Sequence, residues 1–115
     1  MRNMSFSLTT EQVRNKTNTV TRRLGWYYLL PGDRIQAVEK CQGLKKGEKI
    51  KRICEIEVVS AVEEKLVCMD ESDLAKEGFP NMTLYGFWDM FCKANKCSPD
   101  TYVNRIEFKY VEVKK

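Results

Sequence analysis

The stretch "TNTVTRRLGWYYLLPGDRI", residues 17 to 35, predicts two strands joined by a turn. Its first part, "NTVTRR", is β-branched and alternating, which is typical of a strand. Pro31 and Gly32 in "LLPGD" favour a turn, and "RIQAVEK" beyond them predicts a second strand. A sheet is therefore expected to begin within the first third of the chain.

Two longer strands are predicted further along. In "IKRICEIEVVSAV", Ile56 and Val58 alternate with Glu55 and Glu57, so one face of this strand is expected to be buried. The last segment, "YVNRIEFKYVEV", alternates in the same way and predicts a closing strand.

Helices are predicted in three places. Thr9-x-x-Gln12 reads as a capping box that opens a short helix through "EQVRN". "DESDLAKEG" has acidic residues in its first turn and Gly78 at its end, and Thr83 can cap a longer helix through "LYGFWDMFCKA". The apolar residues of that helix are spaced as one buried stripe: Leu84, Phe87, Trp88 and Phe91. Several strands with two or three helices indicate an α+β domain, with a small β-barrel flanked by helices as its architecture.

The length of 115 residues indicates one domain, residues 1–115. The longest nearly apolar run, "LGWYYLLPG", is far shorter than the roughly 20 residues that span a bilayer. The first residues, "MRNMSFSLTT", have no apolar core of the kind a signal peptide needs. A cytoplasmic location without a membrane partner is the expectation.

The five cysteines are an odd number without a secretory signal, which favours reduced thiols. Cys54 and Cys68 lie among apolar residues and are expected to be small core side chains. Whether Cys41, Cys92 and Cys97 approach one another is open, but a zinc site needs four ligands and the chain has no histidine to complete one. Plain thiols are favoured, and neither a metal nor a cofactor is predicted.

The net charge of +4 is distributed unevenly. Residues 1 to 52 hold 12 Lys or Arg against 4 Asp or Glu, a net +8, whereas residues 53 to 115 hold 8 against 12, a net −4. A basic first half suggests an anionic partner, of which nucleic acid is the commonest. The alternative is that both sets of charges simply face solvent.

The absence of histidine restricts the possible chemistry. It excludes the usual general base near pH 7, the Ser-His and Cys-His nucleophile pairs, and zinc sites of the "H-E-x-x-H" type. In an enzyme, proton transfer would fall to Lys, Asp, Glu, Tyr or a thiol, with a pKa shifted by burial or by neighbouring charges.

The strand "NTVTRR" presents two different faces. Thr19, Thr21 and Arg23 share one face, and Val20 and Arg22 share the other. Two hydroxyls and a guanidinium together can grip a phosphate, a carboxylate or a base edge.

Three aromatic residues follow this strand: Trp26, Tyr27 and Tyr28. Such side chains can stack on an unpaired base. In the alternative interpretation the threonines are present because they favour a strand, the aromatic residues fill the core and the arginines face solvent.

The succession "TNTVTRRLGWYYLLPGDRI", "EGFPNMT" and "RIEFKYV" resembles the ASCH domain, a small PUA-like barrel, over residues 5 to 112. It is most similar to the small stand-alone ASCH proteins of phages and prophages. The family motif G-x-K-x-x-[ET]-x-R, followed by a "PGD" turn, falls on residues 16 to 23, with "PGD" at 31 to 33. Thr21 and Arg23 fit the motif, whereas Lys16 occupies its glycine position and Asn18 its lysine position.

The resemblance implies a site that binds RNA or a modified nucleoside. Some family members are amidohydrolases that remove the acetyl group from N4-acetylcytidine with a lysine, a threonine and a glutamate; others are ribonucleases or RNA-binding modules. Carried over, the threonine is Thr21 and the glutamate is Glu77 in "KEGFPNMT". The lysine does not carry over, because Asn18 cannot act as base or nucleophile, and Lys16 is the candidate substitute.

Two functions of different classes follow. The favoured one is binding of RNA or a nucleotide in a basic cleft without catalysis. Trp26 would stack on a base, and five cations are predicted to contact phosphates: Arg22, Arg23, Lys45, Lys46 and Lys49.

The alternative function is a hydrolase, either of the N4-acetylcytidine amidohydrolase type or a ribonuclease. In it Glu77 would move protons, Thr21 would orient the carbonyl and Lys16 would activate water or position the carbonyl. A phage factor that binds a host protein through its acidic half is a further alternative.

Overall fold

A five-stranded sheet forms the centre of the computed structural model, which describes residues 1–40 and 44–112. The strands are β1 (Asn3–Ser5), β2 (Val20–Arg23), β3 (Arg34–Val38), β4 (Arg52–Lys65) and β5 (Tyr102–Tyr110). Their order across the sheet is β1-β3-β4-β5-β2. β1 runs parallel to β3, and all other neighbours are antiparallel.

The predicted α+β class is confirmed, but the sheet is open rather than closed into a barrel. β1 and β2 lie at its opposite edges and do not pair with each other in the described part of the chain. A closed barrel needs its first and last strands to pair along their length. Here the edge strands have only three and four residues. Four strands follow the predicted segments, whereas β1 was not predicted, because "NMS" carries no strand pattern.

Three helices accompany the sheet: α1 (Thr10–Arg14), α2 (Asp73–Lys76) and α3 (Leu84–Asn95). Thr83 caps α3 as predicted, because its hydroxyl accepts a hydrogen bond from the Gly86 N–H at 3.0 Å. The predicted capping box of α1 is wrong, since the Thr9 hydroxyl makes no cap bond and accepts instead from the Asn18 amide. No helix among the described residues is long and apolar enough to cross a bilayer.

The apolar side chains form two separate clusters, which we call the first and second core. The first core packs residues of β1, β3, β4 and β5 with α1: Met4, Phe6, Val13, Leu29, Ile35, Ala37, Ile56, Val58, Ile106 and Phe108. The second core joins α2 and α3 to one end of the sheet: Leu66, Met69, Leu74, Phe87, Phe91 and Val103. The predicted apolar stripe of α3 therefore faces a core, with Phe87 and Phe91 buried and its other two members partly buried.

The cysteines divide between core and surface. Cys54 packs against the first core as predicted, but Cys68 is exposed. The prediction for Cys68 is wrong because the 3-10 turn Leu66–Cys68 buries Leu66 instead. The sulfur atoms of Cys92 and Cys97 are 3.8 Å apart. Cys41 lies outside the described residues, and within residues 1–40 and 44–112 no cluster of three potential metal ligands occurs.

Candidate functional site

A cavity of about 530 Å³, which we call the first cavity, lies where β2 meets the chain's first nine residues, Glu77 and α3. Its polar and charged lining residues include Thr9, Asn18, Thr21, Arg22, Arg23, Lys40 and Glu77, and its apolar and aromatic ones include Phe6, Trp26, Phe79, Phe87 and Phe91. The predicted residues Thr21, Arg23 and Glu77, which are far apart in the sequence, therefore meet at one place.

Thr21 and Arg23 are held on the same face of β2. Their backbones pair with Ile106 and Asn104 of β5, which fixes the direction of both side chains. The Arg23 Nε donates a hydrogen bond to the Thr21 hydroxyl at 3.0 Å, and its guanidinium carbon lies 4.8 Å from the centre of the Phe6 ring. The guanidinium is thus positioned on an aromatic face beside a buried hydroxyl, which limits its freedom before any ligand arrives.

Arg22, the residue between them, also borders the first cavity and is the centre of a buried charge network. Its guanidinium forms ion pairs with Glu64 at 2.8 Å, Asp73 at 2.6 Å and Glu77 at 2.8 Å. Arg105 adds a second cation to Asp73 at 2.8 Å. The side chain of Arg22 is 1% exposed, so the guanidinium assigned to phosphate contact already has three anionic partners. A buried charge is tolerated in this way because each partner compensates its lost hydration.

The helical turn of α2 brings two of these carboxylates onto one side. Asp73 and Glu77 are four residues apart, and side chains at that spacing lie on the same helix face. Gly78 then ends the turn with a φ of 97°, and a side chain there would meet the Gln12 side chain at 3.0 Å. Glycine at this position therefore allows the chain to turn directly after Glu77.

The two carboxyl groups have opposite pKa shifts. Burial raises the pKa of Glu77 to about 7, while the Arg22 guanidinium acts in the opposite direction. The hydrogen bond from Arg105 lowers the pKa of Asp73 to about 2, against a smaller opposing effect of burial. Glu77 can therefore exchange a proton near neutral pH, whereas Asp73 stays ionised.

Two crystal structures are similar in fold to this chain. An ASCH domain from Lactobacillus crispatus JV V101 aligns with a TM-score of 0.64 at 17% identity, over 95% of this chain and 78% of that one. The chain has the ASCH-domain fold. A DUF984 protein from Enterococcus faecalis V583 aligns with a TM-score of 0.65 at 14% identity, over 96% of this chain and 76% of that one. No family model matches the sequence, and no curated protein matches it.

The fold likeness agrees with the resemblance seen in the sequence. The predicted closeness to phage proteins stays a prediction.

Asn18, at the lysine position of the ASCH motif, lies in the wall of the first cavity. It is 1% exposed, and its amide nitrogen donates to the Thr9 hydroxyl at 3.0 Å. Its side-chain oxygen has no hydrogen-bond partner among the described residues. An unpaired buried acceptor costs about 1–3 kcal/mol, so an oxygen left open in a cavity wall indicates a group or a water that completes it.

Lys16 does not reach the first cavity in this ASCH fold. It follows α1 with a left-handed φ of 61°, is exposed, and is absent from the described lining residues. The lysine in the wall is Lys40, two residues after β3. Lys40 could not be found from the sequence, because its position depends on the pairing of β1 with β3, which places Ser5 beside Val38.

Trp26 lines the cavity and also packs against the first core, so both predicted environments apply to it. Its ring lies 6.0 Å from that of Tyr28, and Arg2 stands over both rings, at 4.9 Å from Trp26 and 4.6 Å from Tyr28. The Trp26 indole is therefore held at the cavity wall by contacts with the Tyr28 ring and the Arg2 guanidinium.

The three predicted loop lysines lie between β3 and β4. Lys45, Lys46 and Lys49 are exposed. Lys49 lines a second cavity, of about 280 Å³, whereas Lys45 and Lys46 are absent from the described linings of both cavities. None of the three is therefore among the described residues that line the first cavity together with β2.

Proposed function

We propose that the chain binds a nucleotide of RNA, or a modified nucleoside, in the first cavity and does not act on it chemically. The observation that carries this proposal is the convergence of Thr21, Arg23, Glu77 and Trp26 on a single cavity. A volume of about 530 Å³ lies within the range of small-molecule sites, roughly 300–1,000 Å³.

The polar groups of the wall suit the edge of a base. The unpaired Asn18 oxygen can accept from an N–H of the ligand. Glu77 can accept as a carboxylate or donate as a carboxylic acid, because its pKa lies at about 7. The Arg23 guanidinium supplies donors, and Trp26 offers a ring on which a base can stack.

Binding is favoured over catalysis because of the residue at position 18. The ASCH pattern of the amidohydrolases has a lysine there, and an asparagine can neither take up a proton nor attack a carbonyl. Loss of a proton-transfer group typically costs about 10²–10⁴-fold in rate. Lys16 is not among the described lining residues of the first cavity, which argues against it as a replacement for that lysine.

The test is fluorescence anisotropy of a labelled single-stranded RNA at two salt concentrations. Native protein is expected to bind in a salt-sensitive way, and Arg23→Ala is expected to weaken binding about tenfold or more. Lys93→Ala is the matched control, because Lys93 is a cation of α3 that pairs with Asp89 and does not line the cavity. Equal loss in both variants, or no binding at low salt, would contradict the proposal.

A second candidate is hydrolysis of an N4-acylated nucleoside, and one observation favours it. A carboxyl group with a pKa of about 7, in the same wall as Thr21 and Lys40, has the properties of a general acid or base. Incubation with N4-acetylcytidine followed by mass spectrometry tests this candidate. Release of cytidine by native protein but not by Glu77→Gln would replace the binding proposal. Release only by Asn18→Lys would indicate a site that binds the nucleoside but lacks the lysine for the reaction.

A further inference from the structure

The second cavity is directly adjacent to the first. Its lining is Ser7, Thr10, Glu39, Lys40, Leu44, Glu48, Lys49 and Lys51. Ser7 and Lys40 line both cavities, so the two cavities border each other at these residues.

The second cavity keeps a positive charge after its internal ion pairs are taken into account. Glu39 pairs with Arg14. Glu48 pairs with Lys40 at 3.3 Å and also accepts the backbone N–H of Lys45. Both carboxylates therefore already have cationic partners, and these contacts lower the pKa of Glu48.

Two lysines remain available. Neither Lys49 nor Lys51 forms a salt bridge with any residue that the structure describes, and both are exposed. The Ser7 hydroxyl likewise forms no hydrogen bond within the described part of the chain. The cavity thus combines two ammonium groups with a hydroxyl. The ammonium groups can only donate hydrogen bonds, and the hydroxyl can rotate its hydrogen toward an acceptor.

We propose that the second cavity binds the phosphate group of a nucleotide whose base and ribose occupy the first cavity. This inference rests on the proposed function. A phosphate brings a charge of about −1.5 to −2 and three acceptor oxygens, which match the ammonium groups of Lys49 and Lys51. Lys40, which borders both cavities, can move from Glu48 to the phosphate and so joins the two parts of the ligand.

A phosphate subsite in the second cavity predicts an order of affinities. A nucleoside monophosphate binds more tightly than its nucleoside, by about tenfold or more, because it gains at least one charge-assisted hydrogen bond. Lys49→Ala/Lys51→Ala removes that gain and leaves the affinity for the nucleoside unchanged.

The experiment is isothermal titration calorimetry with the four ribonucleosides and with their 5′- and 3′-monophosphates. Lys45→Ala/Lys46→Ala is the matched control, since it removes the same charge from the same loop outside the cavity. A discrete subsite is supported if only Lys49→Ala/Lys51→Ala, and not the control, loses the higher affinity for the monophosphate over the nucleoside. An equal loss in both double variants overturns it in favour of general attraction by the loop.

Failure of this inference and failure of the proposed function give different results. If native protein binds nucleosides and monophosphates equally well, the phosphate subsite is overturned and the proposed function stands. If neither binds, the proposed function fails. Amide chemical shifts on addition of inorganic phosphate then decide whether the second cavity binds an anion at all. Shifts at Lys49 and Lys51 support anion binding, and their absence overturns it.

A competition experiment with a trinucleotide distinguishes a free nucleotide from RNA as the source of the phosphate. An RNA strand is identified if a trinucleotide displaces the monophosphate and if the Lys49→Ala/Lys51→Ala variant binds the trinucleotide more weakly than native protein does. A monophosphate that the trinucleotide does not displace identifies a free nucleotide. Both results support the subsite and name its occupant.

Discussion

Glu77 and Arg22 show how one residue pair can affect both the site and the stability of the protein. The Glu77 carboxyl is buried beside a guanidinium that three acids share, and it also lines the first cavity. Its ordinary pKa of 4.5 applies to the unfolded chain, whereas the folded pKa is about 7. The folded state therefore binds a proton that the unfolded state has already released between these two pH values.

This difference predicts a pH dependence of stability with a definite sign. The contribution of Glu77 is fully present below pH 4.5 and is lost as the pH rises to about 7, because the unfolded state binds fewer protons in this window. The size of this loss is roughly 3 kcal/mol. Glu77→Gln, which stays neutral, is expected to remove this slope in urea denaturation at pH 4.5 to 8.

Asp73 provides an internal comparison, because its shift is opposite. Its folded pKa of about 2 lies below the ordinary value of 3.8, so its contribution is present above pH 3.8 and lost as the pH falls through 2. Glu77→Gln should leave this loss of stability at low pH unchanged, because it comes from Asp73. If the variant keeps the native slope between pH 4.5 and 7, Glu77 is not the group responsible.

Among the secondary-structure elements, the same arginine connects β2, β4 and α2. Glu64 lies in β4, Asp73 begins α2 and Glu77 follows its end. The sheet and α2 are thus joined by charge as well as by the second core. Because β2 lies at an edge and has only four residues, these ion pairs supplement its pairing with β5.

Arg22→Ala is expected to lower the free energy of unfolding by about 3–5 kcal/mol, because it leaves buried carboxylates without their cation. Arg34→Ala is the control: Arg34 also pairs with two glutamates, but its side chain is 53% exposed, and surface pairs contribute about 0–1 kcal/mol. Chemical denaturation measures both. Similar losses for the two variants would contradict the role assigned to the buried network.

At the scale of the whole molecule, the two cores are separate sets of residues. Ile35 belongs to the first and Met69 to the second. Substitutions at residues that share no neighbours usually add within about 0.3–0.5 kcal/mol. Ile35→Val and Met69→Ala are therefore expected to lower the free energy of unfolding additively, by about 0.5–1.5 and 2–5 kcal/mol.

The matched comparison is a pair within the first core. Ile35 and Ile56 are directly opposite each other on β3 and β4. Ile35→Val with Ile56→Val should therefore deviate from additivity more than Ile35→Val with Met69→Ala in a double-mutant cycle. Strong coupling between the two cores would show that they act as one.

Most of the elements could be predicted from the sequence, because strands and helices leave local patterns. The alternation around Ile56 and Val58 and the cap at Thr83 are examples of such patterns. β1 could not be predicted, since three residues are too few for a pattern. The order of the strands, and with it the open sheet, depends on pairings between distant residues that no local signal records.

The candidate site was predictable only in part. Thr21 and Glu77 came from the resemblance to ASCH domains, and the structure places both in one wall. The burial of Arg22 was missed because its three acidic partners are 42 to 55 residues away. Neighbouring arginines in a strand look alike in the sequence, although Arg22 joins a buried charge network and Arg23 packs on the Phe6 ring.

The position of β2 at the edge of the sheet has a consequence for biosynthesis. Among the described residues, β2 pairs only with β5, which ends at Tyr110, whereas β1 can pair with β3 once Val38 has been made. The residues that present Thr21 and Arg23 leave the ribosome well before β5, the strand with which they pair. On a nascent chain, the first cavity can therefore be completed only after β5 has been made.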